Sequence, residues 1–353
     1  MEHNICIFTG ARPNFIKVAP LMRVIEQTPA CNYQLVYAGC EDDETLEKSL
    51  FDDLQIRRPD CFLGVDCENL NELTGRVMSA FESYLEQHKT DTVIVVDDLA
   101  STMAAAIVTK KRGLRLAHLV AGTRSFDITM PKEINRLVID GLSDLLFTAG
   151  MGSSSIATRE GAEYNKIYMV GNILMDTLRY NHNRWTRPSC LEGIKDGEYV
   201  VFTLNRKVLL ADEDNLQRML KAIEEAAAPL PVIASLRGKA RELVGRMTRF
   251  QIVDPLSYLD FGWLTAHAKV IVTDSGNVAE EATFNQIPCI TLNSYTEHSE
   301  TVDKGTNTLV GEDAHLLHKV LTDILAGKSK KASLPDRWDG RTAERIVKIL
   351  MEN

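Results

Sequence analysis

The chain has 353 residues, enough for two domains, because a single hydrophobic core stops growing at roughly 250–300 residues. Its composition, 44% hydrophobic and 25% charged, is that of an ordinary globular protein, and its net charge of -9 argues against the basic surface of a nucleic-acid-binding protein. No apolar stretch reaches the length of a membrane span, so neither a nucleic acid nor a membrane is expected as a partner.

The seven cysteines bear on compartment and on metal binding. Their number is odd, no two have C-x-x-C spacing, and several lie in apolar segments, for example Cys6 in NICIF and Cys289 in IPCITL. A thiol in such a segment is usually a small core residue. The sequence therefore predicts no metal site and no disulfide framework, and it predicts a reducing, cytoplasmic location.

In chain order, short apolar segments rich in β-branched residues alternate with longer amphipathic segments. Nearly continuous apolar segments are typical of strands buried on both faces of a parallel sheet. The first set is NICIFTG, YQLVYAG, TVIVVDD, RLAHLVAG, DLLFTAG and KIYMVG; after the polar stretch RWTRPSCLEGIKDGE, the second set is YVVFTL, PVIAS, FQIVD, KVIVTD, PCITL and TNTLVG. The pattern predicts an α/β protein with two doubly wound, Rossmann-like domains over residues 1–185 and 186–338, followed by a terminal helix over 339–353.

Open sheets of this kind bind ligands at the carboxyl ends of their strands, so the ligand is expected in the cleft between the domains. The first strand ends in FTGARPNFIKVAP, where Arg12 and Lys17 flank a helix start with Pro13 in its first turn. Two cations at this position oppose the helix dipole, which favours a bound anion. The alternative is a pair of surface cations.

Acidic residues follow two further strands. VIVVDD ends in Asp97 and Asp98, which are candidates for proton transfer or, alternatively, caps of the next helix. In PKEINR, Glu133 and Arg136 share one helix face, a spacing that also suits a local ion pair.

The strand KVIVTD is followed by the segment SGNVAEEA. Ser275, Gly276 and Asn277 form the turn and the helix start, whose free N–H groups suit a phosphate. Glu281 follows in the first turns and is a candidate for accepting hydrogen bonds from a ribose. The alternative is a plain helix cap with two solvated glutamates, Glu280 and Glu281.

Taken together, the segments FTGARPNFIKVAP, AGTRSFDITMPKEINRLVIDGLSDLLFT, VGNILMDTL, VTDSGNVAEEA, IPCITL and GTNTLVG resemble, in order and spacing, the non-hydrolysing UDP-N-acetylglucosamine 2-epimerases. The resemblance spans nearly the whole chain. It implies a two-domain GT-B-like fold whose C-terminal helix packs back on the first domain, and usually a homodimer. It also implies interconversion of UDP-GlcNAc and UDP-ManNAc, by elimination and re-addition of UDP, without a nicotinamide or metal cofactor.

The resemblance also implies roles for individual residues. The catalytic group would comprise Asp98, Glu133 and Arg136. Ser275, Gly276 and Glu281 match the phosphate and ribose contacts of the family, and Phe261 matches an aromatic residue beside the uracil. The residues implied in binding the UDP-sugar, which is the expected partner, are Arg12, Lys17, Asn205, Arg206, Phe261, Ser275, Gly276, Asn277, Glu281 and His298.

Several positions depart from the family pattern. The family has glutamates where this chain has Val120 and Lys132, and a histidine where it has Asn205. Each lost general acid or base typically costs about 10²–10⁴ in rate. A lysine at position 132 is expected to pair with a nearby acid, Glu133 or Asp97. Four further differences follow from the same comparison. Asp97 and Asn277 each stand where the family has a glycine, and His298 stands where it has an arginine. Cys40 and Glu41 stand in the second half of a turn that reads T-G-Q-H in the family.

Three functions therefore remain open. The first is an epimerase that uses its remaining acids in altered roles: Asp98, Glu133, Glu297 and Glu300. The second is a catalytically impaired homologue that binds a UDP-sugar with little or no turnover. The third is another UDP-sugar enzyme on the same scaffold, such as a glycosyltransferase or a hydrolysing epimerase. The candidates to compensate for lost groups are Asp97, Glu41 and His298.

Overall fold

The computed structural model describes residues 3–352 and divides the chain into two compact units. The first unit comprises Met1–Tyr180 together with Asp336–Asn353, and the second comprises Asn181–Pro335. In the described range, none of the helices combines the length and the apolar character that a membrane span requires.

The first unit contains a seven-stranded sheet in which every recorded pairing is parallel, in the order β3-β2-β1-β4-β5-β6-β7. The order runs outward in both directions from β1 and β4, as in a doubly wound sheet. Its strands are His3–Thr9 (β1), Cys31–Tyr37 (β2), Cys61–Phe62 (β3), Thr92–Val96 (β4), Arg115–Ala121 (β5), Leu145–Thr148 (β6) and Ile167–Met169 (β7). Its helices are Arg12–Glu26 (α1), Lys48–Leu54 (α2), Leu70–Gln87 (α3), Ala100–Lys111 (α4), Pro131–Leu142 (α5), Met151–Arg159 (α6) and Ile173–Asn181 (α7).

The second unit repeats the architecture with a six-stranded parallel sheet in the order β10-β9-β8-β11-β12-β13. Its strands are Val200–Phe202 (β8), Val232–Ser235 (β9), Gln251–Val253 (β10), Val270–Thr273 (β11), Cys289–Thr291 (β12) and Asn307–Leu309 (β13). Its helices are Lys207–Ala211 (α8), Glu213–Ala227 (α9), Gly238–Met247 (α10), Tyr258–Ala266 (α11), Gly276–Phe284 (α12), Ser299–Asp303 (α13) and Ala314–Leu325 (α14). The last helix of the chain, Thr342–Glu352 (α15), belongs to the first unit.

Burial explains why the apolar segments become central strands. All five residues of β4 and all four residues of β11 are buried, so each strand is covered on both faces. Helices cover these faces: Phe8 of β1 contacts Phe81 of α3 with ring centroids 5.0 Å apart. The strands of residues 3–352 contain no Asp, Glu or Lys, and acidic side chains such as Asp97, Asp98 and Asp274 follow directly where strands end.

The C-terminal helix α15 is tied to the first unit by one buried carboxylate. Asp176 of α7 accepts hydrogen bonds from the backbone N–H groups of Thr342 and Ala343, at 3.0 and 2.8 Å. These donors belong to the first turn of α15, which has no partners for them within the helix. Burial raises the pKa of Asp176 to about 6, although the two N–H donors favour its charged form.

Candidate functional site

The end of β4 and the start of α1 are tied together through the side chain of Asp97. Its carboxylate is 2.5 Å from Lys17 Nζ and accepts a hydrogen bond from Asn14 Nδ2 at 2.8 Å. The amide oxygen of Asn14 in turn accepts from the N–H groups of Gly10 and Ala11, at 2.9 and 3.1 Å. Asp97, one of the positions that differ from the family pattern, thus neutralises Lys17. Through Asn14 it also fixes the turn between β1 and α1.

Asp98, the next residue, is half-buried and lies beside two cations of α5. Its Oδ2 lies 2.8 Å from Arg136 Nε and 2.6 Å from Arg136 Nη2, and its Oδ1 lies 3.6 Å from Lys132 Nζ. Burial raises the pKa of Asp98, but the charges of Lys132, Arg136 and Lys17 outweigh it and lower the pKa overall. The expected pairing of Lys132 with Glu133 or Asp97 is wrong, because the start of α5 places its ammonium group over Asp98.

Glu133 has both carboxylate oxygens occupied. Oε2 accepts from the N–H and the hydroxyl of Ser125, both at 2.9 Å, and Oε1 accepts from the N–H of Phe126 at 2.9 Å. Arg136 Nη1 lies 3.1 Å from Oε2. Burial raises the pKa of Glu133, but these hydrogen bonds and the Arg136 charge lower it overall. Glu133 therefore fixes the loop before α5 and orients the arginine that binds Asp98.

Val120 stands at a strained backbone position. Its φ is 72°, in the left-handed region that β-branched residues rarely adopt, and the pairing of β5 with β6 shifts register between Leu119 and Ala121. The valine side chain is half-buried and can neither carry a proton nor accept a hydrogen bond. Position 120 thus holds an apolar side chain on an unfavourable backbone conformation.

In the second unit, the start of α12 presents a capped but exposed turn. Ser275 Oγ accepts from the N–H of Val278 at 3.4 Å, and Thr273 Oγ1 accepts from the N–H of Ser275 at 3.0 Å. Gly276 is exposed, and a Cβ placed on it would come within 3.7 Å of the imidazole of His298. A compact turn, a helix N-terminus and an imidazole therefore converge, an arrangement suited to an anion.

Two adjacent glutamates of α12 differ in their partners. Glu280 is buried and its Oε1 lies 3.2 Å from His298 Nδ1. Glu281 is only 8% exposed, yet its carboxyl group has no hydrogen bond or ion pair within the described residues 3–352. Burial, and secondarily the charge of Glu280, raises the pKa of Glu281 to about 8. The two solvated glutamates considered from the sequence are thus both buried.

The loop after β8 is bound to the end of β11. Asp274 Oδ2 accepts from the N–H groups of Asn205 and Arg206, at 2.8 and 2.6 Å. Arg206 Nη1 then lies 3.2 Å from Asn293 Oδ1 and 3.5 Å from Glu312 Oε1. The Asn205 side chain is exposed at this edge of the sheet. Asp274 therefore organises two of the predicted binding residues.

Phe261 lies on α11, half-buried against an apolar cluster that includes Val278 and Ala279 of α12. The structure thus brings together the helix of the predicted uracil contact and the helix of the predicted phosphate and ribose contacts. Arg12 begins α1, beside the turn that Asn14 fixes.

Sequence reasoning missed the residues that orient the candidate groups. Asn14 and Asp274 bind turn N–H groups, and Asn135 Nδ2 donates to the backbone oxygen of Asp98 at 2.8 Å. For Asn14 and Asp274 the sequence carried a local signal, because Asn and Asp at strand ends commonly bind turn N–H groups. Asn135 has no such local signal, because its partner lies 37 residues away. Within residues 3–352, no group of three or more His, Cys, Asp or Glu side chains is arranged to bind a metal ion.

Comparisons with known proteins identify the family. The family model described as UDP-N-acetylglucosamine 2-epimerase matches residues 23–351. This chain belongs to the UDP-N-acetylglucosamine 2-epimerase family. The resemblance stated from the sequence is therefore confirmed.

Relatives match the epimerase-family chain end to end. A UDP-N-acetylglucosamine 2-epimerase of Methanocaldococcus jannaschii is 32% identical over 362 residues, covering 98% of each chain. A UDP-2,3-diacetamido-2,3-dideoxy-D-glucuronate 2-epimerase of Pseudomonas aeruginosa is 33% identical, covering 98% of this chain and 99% of its own.

A solved structure of the Methanocaldococcus jannaschii UDP-GlcNAc 2-epimerase, in complex with UDP-GlcNAc and UDP, superposes with a TM-score of 0.86. It is 31% identical and covers 99% of this chain. The predicted fold class, two Rossmann-like α/β domains of the GT-B-like type, is confirmed.

Proposed function

We propose that this epimerase-family protein binds a UDP-sugar and interconverts UDP-GlcNAc and UDP-ManNAc by elimination and re-addition of UDP. The observation that carries the proposal is the start of α12, where an anion-binding turn precedes the buried carboxyl group of Glu281. A relative with 31% identity has been solved with UDP-GlcNAc and UDP, which supports the same class of ligand here.

The nucleotide is assigned to the second unit, residues 186–338 of the predicted division. The N–H groups and dipole of the α12 start suit the diphosphate, with Ser275, Gly276 and Asn277 forming the turn and His298 beside it. Glu281 is assigned to the ribose, because ribose hydroxyl groups would form hydrogen bonds with a buried carboxyl group that has no partner within residues 3–352. Further contacts are proposed for Phe261, Asn205 and Arg206.

The chemistry at C2 of the hexose is assigned to the first unit. Asp98 is ionised because its pKa is low. Its carboxylate can therefore accept the C2 proton as a general base. Arg136 orients this carboxylate, and Glu133 in turn orients Arg136. Arg12, at the start of α1, is proposed to bind an anionic group of the ligand, whereas Lys17 is neutralised by Asp97 and holds that carboxylate in place. All steps use side chains of this protein, and no metal or nicotinamide cofactor is proposed.

A second candidate is the catalytically impaired UDP-sugar-binding homologue. The observation that favours it is the position of Lys132, whose Nζ lies 3.6 Å from the same Asp98 carboxylate that Arg136 binds. Two cations weaken a carboxylate as a base, and Val120 offers no proton on the neighbouring strand end. This candidate shares the nucleotide site of the first and differs only in turnover.

We propose, in addition, that the protein is a cytoplasmic homodimer. All seven cysteines are free, which supports a reducing compartment. The first unit exposes a group of large apolar side chains on α5 and the preceding loop, which supports burial against a second copy. These side chains are Phe126, Ile128, Ile134 and Leu137. The double change Ile134→Lys and Leu137→Lys should convert the dimer to a monomer. Light scattering measures the change.

Incubation of the purified protein with UDP-GlcNAc, followed by proton NMR, tests the function. Formation of UDP-ManNAc supports the epimerase, and nucleotide binding without any product supports the impaired homologue. Release of free ManNAc with UDP would assign a hydrolysing enzyme. Absence of UDP binding by calorimetry would refute both candidates.

A further inference from the structure

A buried charged group lies directly behind the strand-end acids of the first unit. His118 of β5 is 1% exposed, and its two ring nitrogens have different partners. Nδ1 lies 2.6 Å from Asp140 Oδ1, and Nε2 lies 2.9 Å from the backbone oxygen of Asp97. Asp140 lies on α5, and through this ring α5 therefore contacts the end of β4.

The partners of Asp140 show that it is a carboxylate. Besides His118, it lies 2.7 Å from Arg124 Nη2 and accepts from the N–H of Gly122 at 3.0 Å. Burial raises the pKa of Asp140, but the charges and hydrogen bonds of His118 and Arg124 lower it overall. Arg124 is bound in turn by Glu160, with Nε 3.0 Å from Oε1.

Both ring nitrogens of His118 therefore face groups that can only accept a hydrogen bond, a carboxylate and a carbonyl oxygen. A neutral imidazole has one donor and one acceptor nitrogen, so one lone pair would point at another. We infer that His118 is a doubly protonated imidazolium that fixes the Asp97–Asp98 strand end, and is a positioning residue for Asp98. Two cations, His118 and Arg124, then balance two anions, Asp140 and Glu160.

The strand end needs such support because its backbone is unfavourable. Asp97 has a φ of 60°, in the left-handed region, and Val120 and Gly122 on the adjacent strand end have φ values of 72° and 73°. Conformations of this kind persist only where surrounding contacts impose them. His118 binds the carbonyl of Asp97, and Asn135 binds the next carbonyl along the chain. These two bonds fix the backbone that carries the Asp98 side chain, and Arg136 binds its carboxylate.

The charge state is the part of the inference that does not depend on the proposed function. The groups that face the ring are Asp140, the Asp97 carbonyl and, through Asp140, Arg124 and Gly122. We expect both ring nitrogens of His118 to carry a proton in the folded protein, because each one faces an acceptor. Nitrogen-15 NMR of the full-length labelled protein, with His118 assigned by comparison with His118→Gln, measures this directly. Two protonated ring nitrogens are expected in the folded protein; one unprotonated nitrogen would overturn the inference.

His88 is the reference histidine for the NMR measurement within the same protein, because its Nδ1 contacts only the backbone oxygen of Tyr84. If His118→Gln does not fold, the eight histidines of the native chain are instead distinguished by their exchange with solvent, since the buried ring exchanges slowest. The charge state is thus measured on the native protein in either case.

The positioning role rests on the proposed epimerase and needs a kinetic test. In His118→Gln the amide can still donate to one acceptor but cannot bind both, so Asp98 should lose its alignment. A displacement of about 1 Å typically costs about 10²-fold in rate, so kcat should fall about 10²-fold while KM and UDP affinity stay within twofold. His88→Gln is the matched control and should change neither.

An unchanged kcat in His118→Gln would overturn the positioning role, as would an equal loss of UDP affinity, which indicates general unfolding. Failure of the native protein to turn over UDP-GlcNAc would refute the epimerase instead. In that case the orientation of Asp98 is read from its carboxyl carbon-13 signal, which should shift in His118→Gln and remain unchanged in His88→Gln. An unchanged Asp98 signal would overturn the positioning role without reference to activity.

Discussion

The end of β4 in the first unit and helix α12 in the second unit differ in how completely their polar groups are satisfied. At the end of β4, both carboxylates and both carbonyl groups of Asp97 and Asp98 have partners on α1, β5 or α5. At the start of α12, the Glu281 carboxyl group has none within the described residues. The first region is therefore fixed by contacts within the protein, whereas the second keeps a buried carboxyl group that suits the proposed ligand.

This difference has a physical reason. A general base must be oriented before the substrate arrives, and a network of buried ion pairs provides that orientation. A ligand-binding carboxyl group gains most when its hydrogen bonds are made only on binding, since an unsatisfied buried group is unfavourable without a partner. The five predictions below test the contrast, from the largest expected effect to the smallest.

Asp98→Asn should abolish most turnover. The amide keeps the shape of the carboxylate but cannot accept the C2 proton, so kcat should fall by about 10²–10⁴. UDP affinity, measured by calorimetry, should stay unchanged because the change lies in the first unit. Asp144→Asn is the control, since Asp144 also forms a partly buried ion pair, with Lys110 at 2.7 Å. A mutant that retained full turnover would reduce Asp98 to a structural residue.

Glu281→Ala should weaken UDP binding without altering the fold. Its pKa of about 8 keeps Glu281 protonated near neutral pH, and a hydrogen bond between neutral groups contributes about 0.5–1.5 kcal/mol, which corresponds to a loss of about 2- to 13-fold in affinity for each bond. Calorimetry should show the loss for UDP and a much smaller one for inorganic diphosphate, which has no ribose. Glu225→Ala, on the exposed face of α9, is the control. Equal losses for both ligands would remove the ribose assignment.

Restoring the ancestral groups should raise epimerisation. The triple mutant Val120→Glu, Lys132→Glu, Asn205→His brings in two carboxyl groups and an imidazole together, and it removes the Lys132 cation beside Asp98. Because one group alone is worth about 10²–10⁴ in rate, kcat should rise about tenfold or more. Single changes should do little, because groups of one mechanism act together. A native kcat of about 1–10 s⁻¹, already in the ordinary enzyme range, would contradict the idea that these positions limit turnover.

The pH dependence of stability should report the state of Glu281. Its pKa of about 8 in the folded protein exceeds the ordinary value of about 4.3, so between these values the folded state binds more protons than the unfolded state. Its contribution is complete below about pH 4 and is lost as pH rises through about 8. Glu281→Gln removes this loss, so Tm relative to the native protein should increase from pH 5 to pH 9. A constant difference would show that Glu281 is ionised throughout.

Val120→Gly should make the smallest difference, a slight gain in stability. Relief of the left-handed conformation is worth about 1–2 kcal/mol, and loss of the half-buried side chain and added chain entropy offset about 1 kcal/mol of it. Urea unfolding should therefore show a net gain of about 0.5 kcal/mol. The control, Val95→Gly in the buried strand β4, should lose several kilocalories per mole because its backbone is regular and its side chain fully buried. A loss at both positions would argue that Val120 packs better than its backbone suggests.

The residues beside Asp98 show where prediction from sequence succeeded and where it failed. The strand-end acids, the α12 turn and the cations of α1 were located because each belongs to a local strand–turn–helix pattern. The partner of Lys132 was predicted wrongly because Glu133 is its neighbour in sequence, whereas Asp98 is brought near it only when α5 packs beside the end of β4. The burial of Glu280 and Glu281 was likewise hidden, since adjacent glutamates on a helix look solvated until the helix is packed.

The sequence by itself determined the fold class, the family and the strand ends that carry the candidate residues, because apolar periodicity and turn residues act over a few neighbouring positions. The tertiary structure alone decided the charge state of those residues. The charges of Lys132, Arg136 and Lys17 lower the pKa of Asp98 and keep it ionised. Burial and the charge of Glu280 raise the pKa of Glu281 to about 8. Asp98 lies just before α4 and Glu281 lies within α12, and each of these helices follows a central strand of its sheet. Electrostatic energies depend on distance and burial, and these are set by elements that lie far apart along the chain.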